Sequence, residues 1–170
     1  MTVPGPLLSS APVMGIDPGV SGAIAELYPD GRLYTYEMPV FTLVTAGRTR
    51  RHVNAVTLSQ LLTDPFPAHV FVEQVGARPG ERAGAAFAFG EGFGVIKGVT
   101  ATLSLPVSFV RPQVWKKALG ITANKGQARQ RATELFPGNA EDFARVKDDG
   151  KAEAALIAWY GVQQMKGERA

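Results

Sequence analysis

Two short apolar segments of this chain each end in an acidic residue, and that pairing narrows the folds open to it more than its composition does. Val13 to Asp17 reads as a strand closed by an aspartate in front of a Pro-Gly turn. His69 to Gln74 is a β-branched and aromatic run bounded by proline and glycine, the pattern of a buried strand, with Glu73 at its end. Sheets flanked by helices carry their sites at the carboxyl ends of such strands. A carboxylate there is costly to desolvate unless it is paired, hydrogen-bonded or bound to a cation.

The segments between these two set the rest of the architecture. Ala23 to Tyr28 and Leu33 to Met38 read as strands joined by a tight turn at Pro29, Asp30 and Gly31. Phe41 to Asn54 shows no clear period and is expected to be a mobile loop. A short helix is expected at Val56 to Leu62, a long one at Ala83 to Leu103, and a strand at Val107 to Val110. A basic helical segment follows around Trp115, Lys116 and Lys117. Asn124 can cap a further helix that ends at Phe136 before Pro137 and Gly138, and the last helix runs from about Asp149 to Gln164. The order implies an α/β fold: a mixed sheet of three antiparallel-linked strands and then parallel strands, with helices on both faces. Residues 1–12 mix Pro, Gly and Ser without periodicity and read as a flexible lead-in, leaving 13–166 as one domain.

Gly90, Gly94 and Gly98 recur every four residues inside the long helix. Each costs roughly 1 kcal/mol against alanine there, so a packing reason is expected, a second subunit more than an internal contact. A phosphate-binding glycine loop would follow a strand, and these residues lie inside a helical pattern instead.

With no cysteine among 170 residues, any metal must bind oxygen or histidine. The amino terminus lacks a basic start with a sustained apolar run, and no segment approaches the roughly 20 apolar residues that span a bilayer, so a cytoplasmic location is expected and no membrane association. The formal charge is +3 and the sequence pI about 9.3. The basic residues cluster at Arg48, Arg50, Arg51 and His52, at Arg78 and Arg82, at Lys116 and Lys117, and from Lys125 through Arg129 to Arg131. If the carboxylates converge on one site, the remaining surface suits a phosphate-backbone partner; the structural alternative is solvated charge on helix faces.

A further acidic group opens the last helix in KDDGKAEAALIAWY. At about 100° per residue, Asp149 lies about 40° from Glu153 around the helix axis and Asp148 about 140° away, so Asp149 is the one expected to share a metal with Glu153. Asp148 is expected as the N-cap, accepting amide bonds from the first turn. Structural alternatives exist for each acid. Asp17 could cap the Gly19 or Val20 amides, Glu73 could pair with Arg78, Arg82 or Arg111, and the helix-start acids could serve the helix dipole.

DPGVSGA after one apolar strand, VEQV after another and DDGKAEA at the last helix occur in this order at spacings that resemble the RuvC-type Holliday junction resolvases of the ribonuclease-H-like superfamily. RPQVWKK and NKGQARQRATELFP extend the resemblance towards phage and plant-organellar members, over residues 13–162. The resemblance implies a ribonuclease-H-like fold and a homodimer that binds four-way junction DNA. It also implies hydrolysis with two Mg²⁺ or Mn²⁺ ions per subunit, held by Asp17, Glu73, Asp149 and Glu153. Asp17 would bridge the ions, which roughly 4 Å apart serve both ends of an in-line displacement without a covalent enzyme intermediate. Lys116, Lys117, Arg129 and Lys151 would hold phosphates. Two departures stand out: the last acidic pair has four-residue spacing and ends in Glu, and Gly76 occupies the place of an aromatic that wedges into the junction.

Other readings are a ribonuclease-H-like nuclease acting on RNA–DNA hybrid or ribosomal RNA, or a transposase fragment. An actin-like ATP-binding fold would need two such domains. A non-catalytic junction-binding protein would retain four acids that repel phosphate.

Overall fold

Runs of four or five residues rich in valine, isoleucine and phenylalanine are too short for a stable helix and become strands. The computed structural model describes residues 10–76, 80–122 and 126–167. Strand β1 (Val13–Asp17) pairs antiparallel with β2 (Ala23–Leu27), which pairs antiparallel with β3 (Leu33–Glu37). On its other side β1 runs parallel to β6 (His69–Glu73), and β6 parallel to β7 (Val107–Val110), giving the order β3-β2-β1-β6-β7. The expected mixed sheet is therefore present.

Helices α1 (Ala55–Leu61) and α2 (Ala83–Thr102) cover one face, where Met14, Ile16 and Ile24 pack with Leu58, Val72 and Ile96. Asn54 caps α1, its Oδ1 accepting from the Val56 and Thr57 amides at 3.1 and 3.2 Å. On the opposite face lie α3 (Pro112–Ala118), α4 (Gln127–Leu135) and α5 (Asp149–Gly167), whose core includes Trp115, Ala132, Leu156 and Ile157. Fully buried residues such as Leu156 and Ile157 each contribute about 1.5–3 kcal/mol. Helix α4 starts after Gly126, and Asn124, expected as its cap, lies outside the described residues. No helix among the described residues is long and apolar enough to cross a membrane.

The loop expected at Phe41 to Asn54 is instead a two-stranded antiparallel hairpin, β4 (Val40–Thr45) and β5 (Arg48–Val53). Its two-residue turn places Ala46 at φ 49° and Gly47 at φ 72°, the left-handed pair such a turn requires. Residues 41–51 are exposed, so no buried face imprints an apolar alternation on the strands, and Ala-Gly lacks the usual Asn-Gly turn signal.

Close packing sets the position of α5. A Cβ on Gly15 of β1 would collide with the Ala154 carbonyl oxygen and the Ala158 nitrogen, and one on Gly161 would collide with the Phe71 ring. At the start of the helix, a Cβ on Gly150 would lie 2.8 Å from the Ser21 carbonyl oxygen. Of the two contacts weighed for Gly90, Gly94 and Gly98, the less favoured internal one is not found among the described residues: all three are exposed, and an added Cβ there would meet nothing within 4 Å. The inward glycine of α2 is Gly92, where an added Cβ would lie 3.2 Å from Val53 Cγ2.

Candidate active site

Parallel pairing of β1 with β6 brings Asp17 and Glu73 side by side at the carboxyl ends of adjacent strands. The close seat of α5 then adds Glu153 from its second turn. Carboxylate oxygens of Asp17, Glu73 and Glu153 all lie within 4.8 Å of one another, and the three residues line a depression of about 880 Å³. Such crowding pushes the Asp17 carboxyl well above the usual carboxylate range, through burial first and then the negative charge of Glu153 and of Glu73; Lys116 opposes the shift.

Helix α3 serves this group with two consecutive residues. Trp115, fully buried, donates its Nε1–H to Glu73 Oε1 at 3.1 Å, and Lys116 donates from Nζ to Glu153 Oε1 at 2.7 Å. A buried indole N–H needs an acceptor, and Glu73 supplies it. The sequence reading did not assign Trp115 to the site; the signal available was a tryptophan beside two lysines on a short helix. Among the described residues this indole donates to Glu73, and Arg78, one of the arginines weighed as its partner, lies outside them.

The four expected acids are not equivalent. Asp149 lines the depression but stands outside the close group of three. Its Oδ1 lies 2.7 Å from Arg129 Nε, an ion pair whose two atoms are not aligned as a hydrogen bond. Asp148 is buried and does not line the depression. The expectation that it accepts amides from the first turn of the last helix is corrected. Its carboxylate accepts instead from the Arg145 backbone N–H at 3.0 Å and from Arg145 Nε and Nη2 at 2.9 and 3.0 Å, closing the 3-10 turn Val146–Asp148. Those bonds hold its carboxyl below the usual range.

The basic residues divide between rim and periphery. Lys116 and Lys117 line the depression, and Arg129 reaches it through Asp149. Arg51 on β5 donates from Nη2 to Ser21 Oγ at 2.9 Å, and Ser21 also lines the depression. Arg48 and Arg50 are exposed on the same strand, and Arg82 is exposed at the start of α2. Lys151 does not line the depression; its charge acts on Asp148. Arg78 and Lys125 lie outside the described residues. Gly76 is exposed beyond the end of β6, with nothing within 4 Å of where a Cβ would stand.

Hard oxygen ligands at this spacing suit Mg²⁺ or Mn²⁺, and a carboxyl pushed up by burial and by neighbouring acids is the state a bound cation relieves. Lys116 places one positive charge against the group.

No protein-family model matches the chain, and no curated protein sequence matches it. Among solved structures it is similar to T. thermophilus RuvC in complex with a Holliday junction substrate, with a TM-score of 0.60 and 14% identity, covering 89% of this chain and 94% of that one. A second structure of Thermus thermophilus RuvC gives a TM-score of 0.58 and 17% identity over 90% of this chain and 96% of that one. The yeast mitochondrial Holliday junction resolvase Ydc2 gives 0.58 and 18% over 96% and 83%. The fold is therefore the ribonuclease-H-like fold of the RuvC-type resolvases, as the sequence motifs imply.

Proposed function

We propose that this protein is a divalent-metal-dependent endonuclease that resolves four-way DNA junctions. The observation that carries the reading is the group formed by Asp17, Glu73 and Glu153, three carboxylates crowded at strand ends and a helix on a RuvC-type fold. Mutual repulsion this close is unfavourable unless a cation relieves it. Asp17, Glu73 and Glu153 would hold the metal, with Asp149 joining from the rim. Two divalent ions there would supply the positive charge that stabilises the attacking and leaving oxygens of phosphodiester hydrolysis. Trp115 keeps the Glu73 carboxylate oriented through its N–H. Lys116 and Arg129, tied to Glu153 and Asp149 without substrate, are placed to turn to phosphate oxygens once cations neutralise those acids. Lys117 lines the same rim.

Paired cuts across a junction need two such sites. The open glycine face of α2, with exposed Phe87 on the same helix, is the surface proposed for a homodimer. Incubating the protein with end-labelled four-way junction, linear duplex and RNA–DNA hybrid, with Mg²⁺ or with chelator, tests the reading. Paired cuts near the branch point of the junction that require metal are expected. Preferential cutting of the hybrid would favour a different nuclease on this fold, and metal-independent binding without cutting would favour a junction-binding protein.

A further inference from the structure

The β4–β5 hairpin is an exposed feature that the site chemistry leaves unused. Its residues Val40 to Val53 include Arg48, Arg50 and Arg51 and no acid, so the three arginines equal the formal net charge of +3 of the whole chain. Among the described residues, neither Arg48 nor Arg50 is in an ion pair. The ribbon is held at its base: Val53 is buried against Gly92, His52 Nδ1 lies 3.0 Å from Glu91 Oε1, and Arg51 meets Ser21 at the rim of the acidic depression. Beyond that base, Leu43 and Val44 are 47% and 70% exposed, and a two-stranded ribbon with bare edges gains little by standing alone in water.

Alternation along β5 puts Arg48 and Arg50 on one face of the ribbon and Arg51 on the other. A ribbon laid across a single row of phosphates would need cations on one face. Cations on both faces suit a groove, which has a phosphate row on each wall. The major groove, roughly 12 Å wide, admits a two-stranded ribbon, whereas the minor groove at roughly 6 Å does not without being opened. Exposed leucine and valine on β4 suit the apolar C5-methyl groups of thymines on that groove's floor.

We infer that the β4–β5 hairpin enters the major groove of the duplex arm beside the cleaved phosphate, with arginines on its two faces meeting phosphates on the two walls. This rests on the proposed nuclease reading for its partner. Binding without metal tests it separately from cleavage. The dissociation constant for a fluorescent four-way junction is measured against KCl concentration in EDTA, for the native protein, for Arg48→Gln with Arg50→Gln, and for Arg48→Lys with Arg50→Lys. Arg32→Gln, in the turn between β2 and β3 and paired with Asp30, serves as a surface control.

Each phosphate contact contributes about 0.9 to the slope of log K against log salt, so the glutamine pair should lower the slope by about 1.8. The lysine pair and Arg32→Gln should leave it unchanged. Dimethyl sulfate footprinting of the native complex should show guanine N7 protection in one arm, and the glutamine pair should lose it. A slope unchanged in the glutamine pair overturns the arm while leaving the nuclease reading in place. A lowered slope with no N7 protection in the native complex overturns groove entry. A native protein that binds no DNA overturns both.

Discussion

Helices α2 and α5 are nearly equal in length, 20 and 19 residues, and both are rich in glycine and alanine, yet they use those residues in opposite ways. On α5, small residues are spent on contact: Ala154 and Ala158 lie against Gly15, Gly161 lies under Phe71, and Gly150 lies against the turn after β1. On α2, Gly90, Gly94 and Gly98 face open space. The contact on α5 sets how near Glu153 comes to Asp17, so backbone packing and site geometry are one property. Small residues in a helix therefore report close approach only when a partner surface is known, and the described residues offer none to Gly90, Gly94 and Gly98.

The contrast can be broken most severely at Gly15. A Cβ there meets α5 backbone, which cannot move aside as a side-chain tip can. Gly15→Ala is expected to cost about 3 kcal/mol, the upper part of the usual range for overpacking, and to abolish cleavage by displacing Glu153. Thermal unfolding beside a junction-cleavage assay measures both losses. Near-native values for both would mean that the contact does not position the acid.

Trp115→Phe sharpens the account on the same face of the sheet. It keeps the ring in the core but removes the N–H donated to Glu73. Losing such a supporting partner typically costs about 10- to 100-fold in metal affinity or activity. The expected result is a higher Mg²⁺ requirement for cleavage with little change in unfolding temperature.

Glu26 carries the contrast to the face covered by α1 and α2. It is buried beside Tyr28 and Tyr36, and burial raises its carboxyl above the ordinary 4.5 despite their hydrogen bonds. Between 4.5 and the raised folded value, the folded state holds a proton that the unfolded chain has lost. The native protein should therefore lose stability as pH rises through that window. Glu26→Gln should flatten this dependence and be the more stable protein at about pH 8. Parallel unfolding curves for the two proteins across pH would refute it.

The smallest expected effect is at Gly94. With nothing around its Cβ position among the described residues, Gly94→Ala should stabilise the monomer by about 1 kcal/mol through helix propensity alone. A loss of stability there, together with a change in oligomeric state, would place a second subunit on this face.

How far the chain could be read depended on whether a feature was local. Asp17 and Glu73 were legible because an acid ending a short apolar run has few structural uses, and the angular separation along the last helix pointed to Asp149 over Asp148 for the site side. The hairpin was not legible: its strands bury no face, and Ala46 adopts a left-handed conformation that alanine does not advertise. Nor was the Trp115–Glu73 bond, which joins residues 42 apart through a meeting of α3 with β6 that no periodicity encodes. The role of Gly15 was hidden for the same reason, since its partners lie on α5.

The central claim is that α5, seated on β1, assembles carboxylates whose repulsion a divalent cation relieves. Thermal unfolding of the native protein and of Asp17→Asn, in EDTA and across a Mg²⁺ titration, tests it most directly. Burial and two neighbouring acids oppose the charged form of Asp17. Asp17→Asn should therefore unfold at a higher temperature than the native protein in EDTA, while Mg²⁺ should raise the native midpoint and leave that of the variant nearly unchanged. Equal responses of the two proteins to Mg²⁺, or a variant less stable than the native protein in EDTA, would contradict the account.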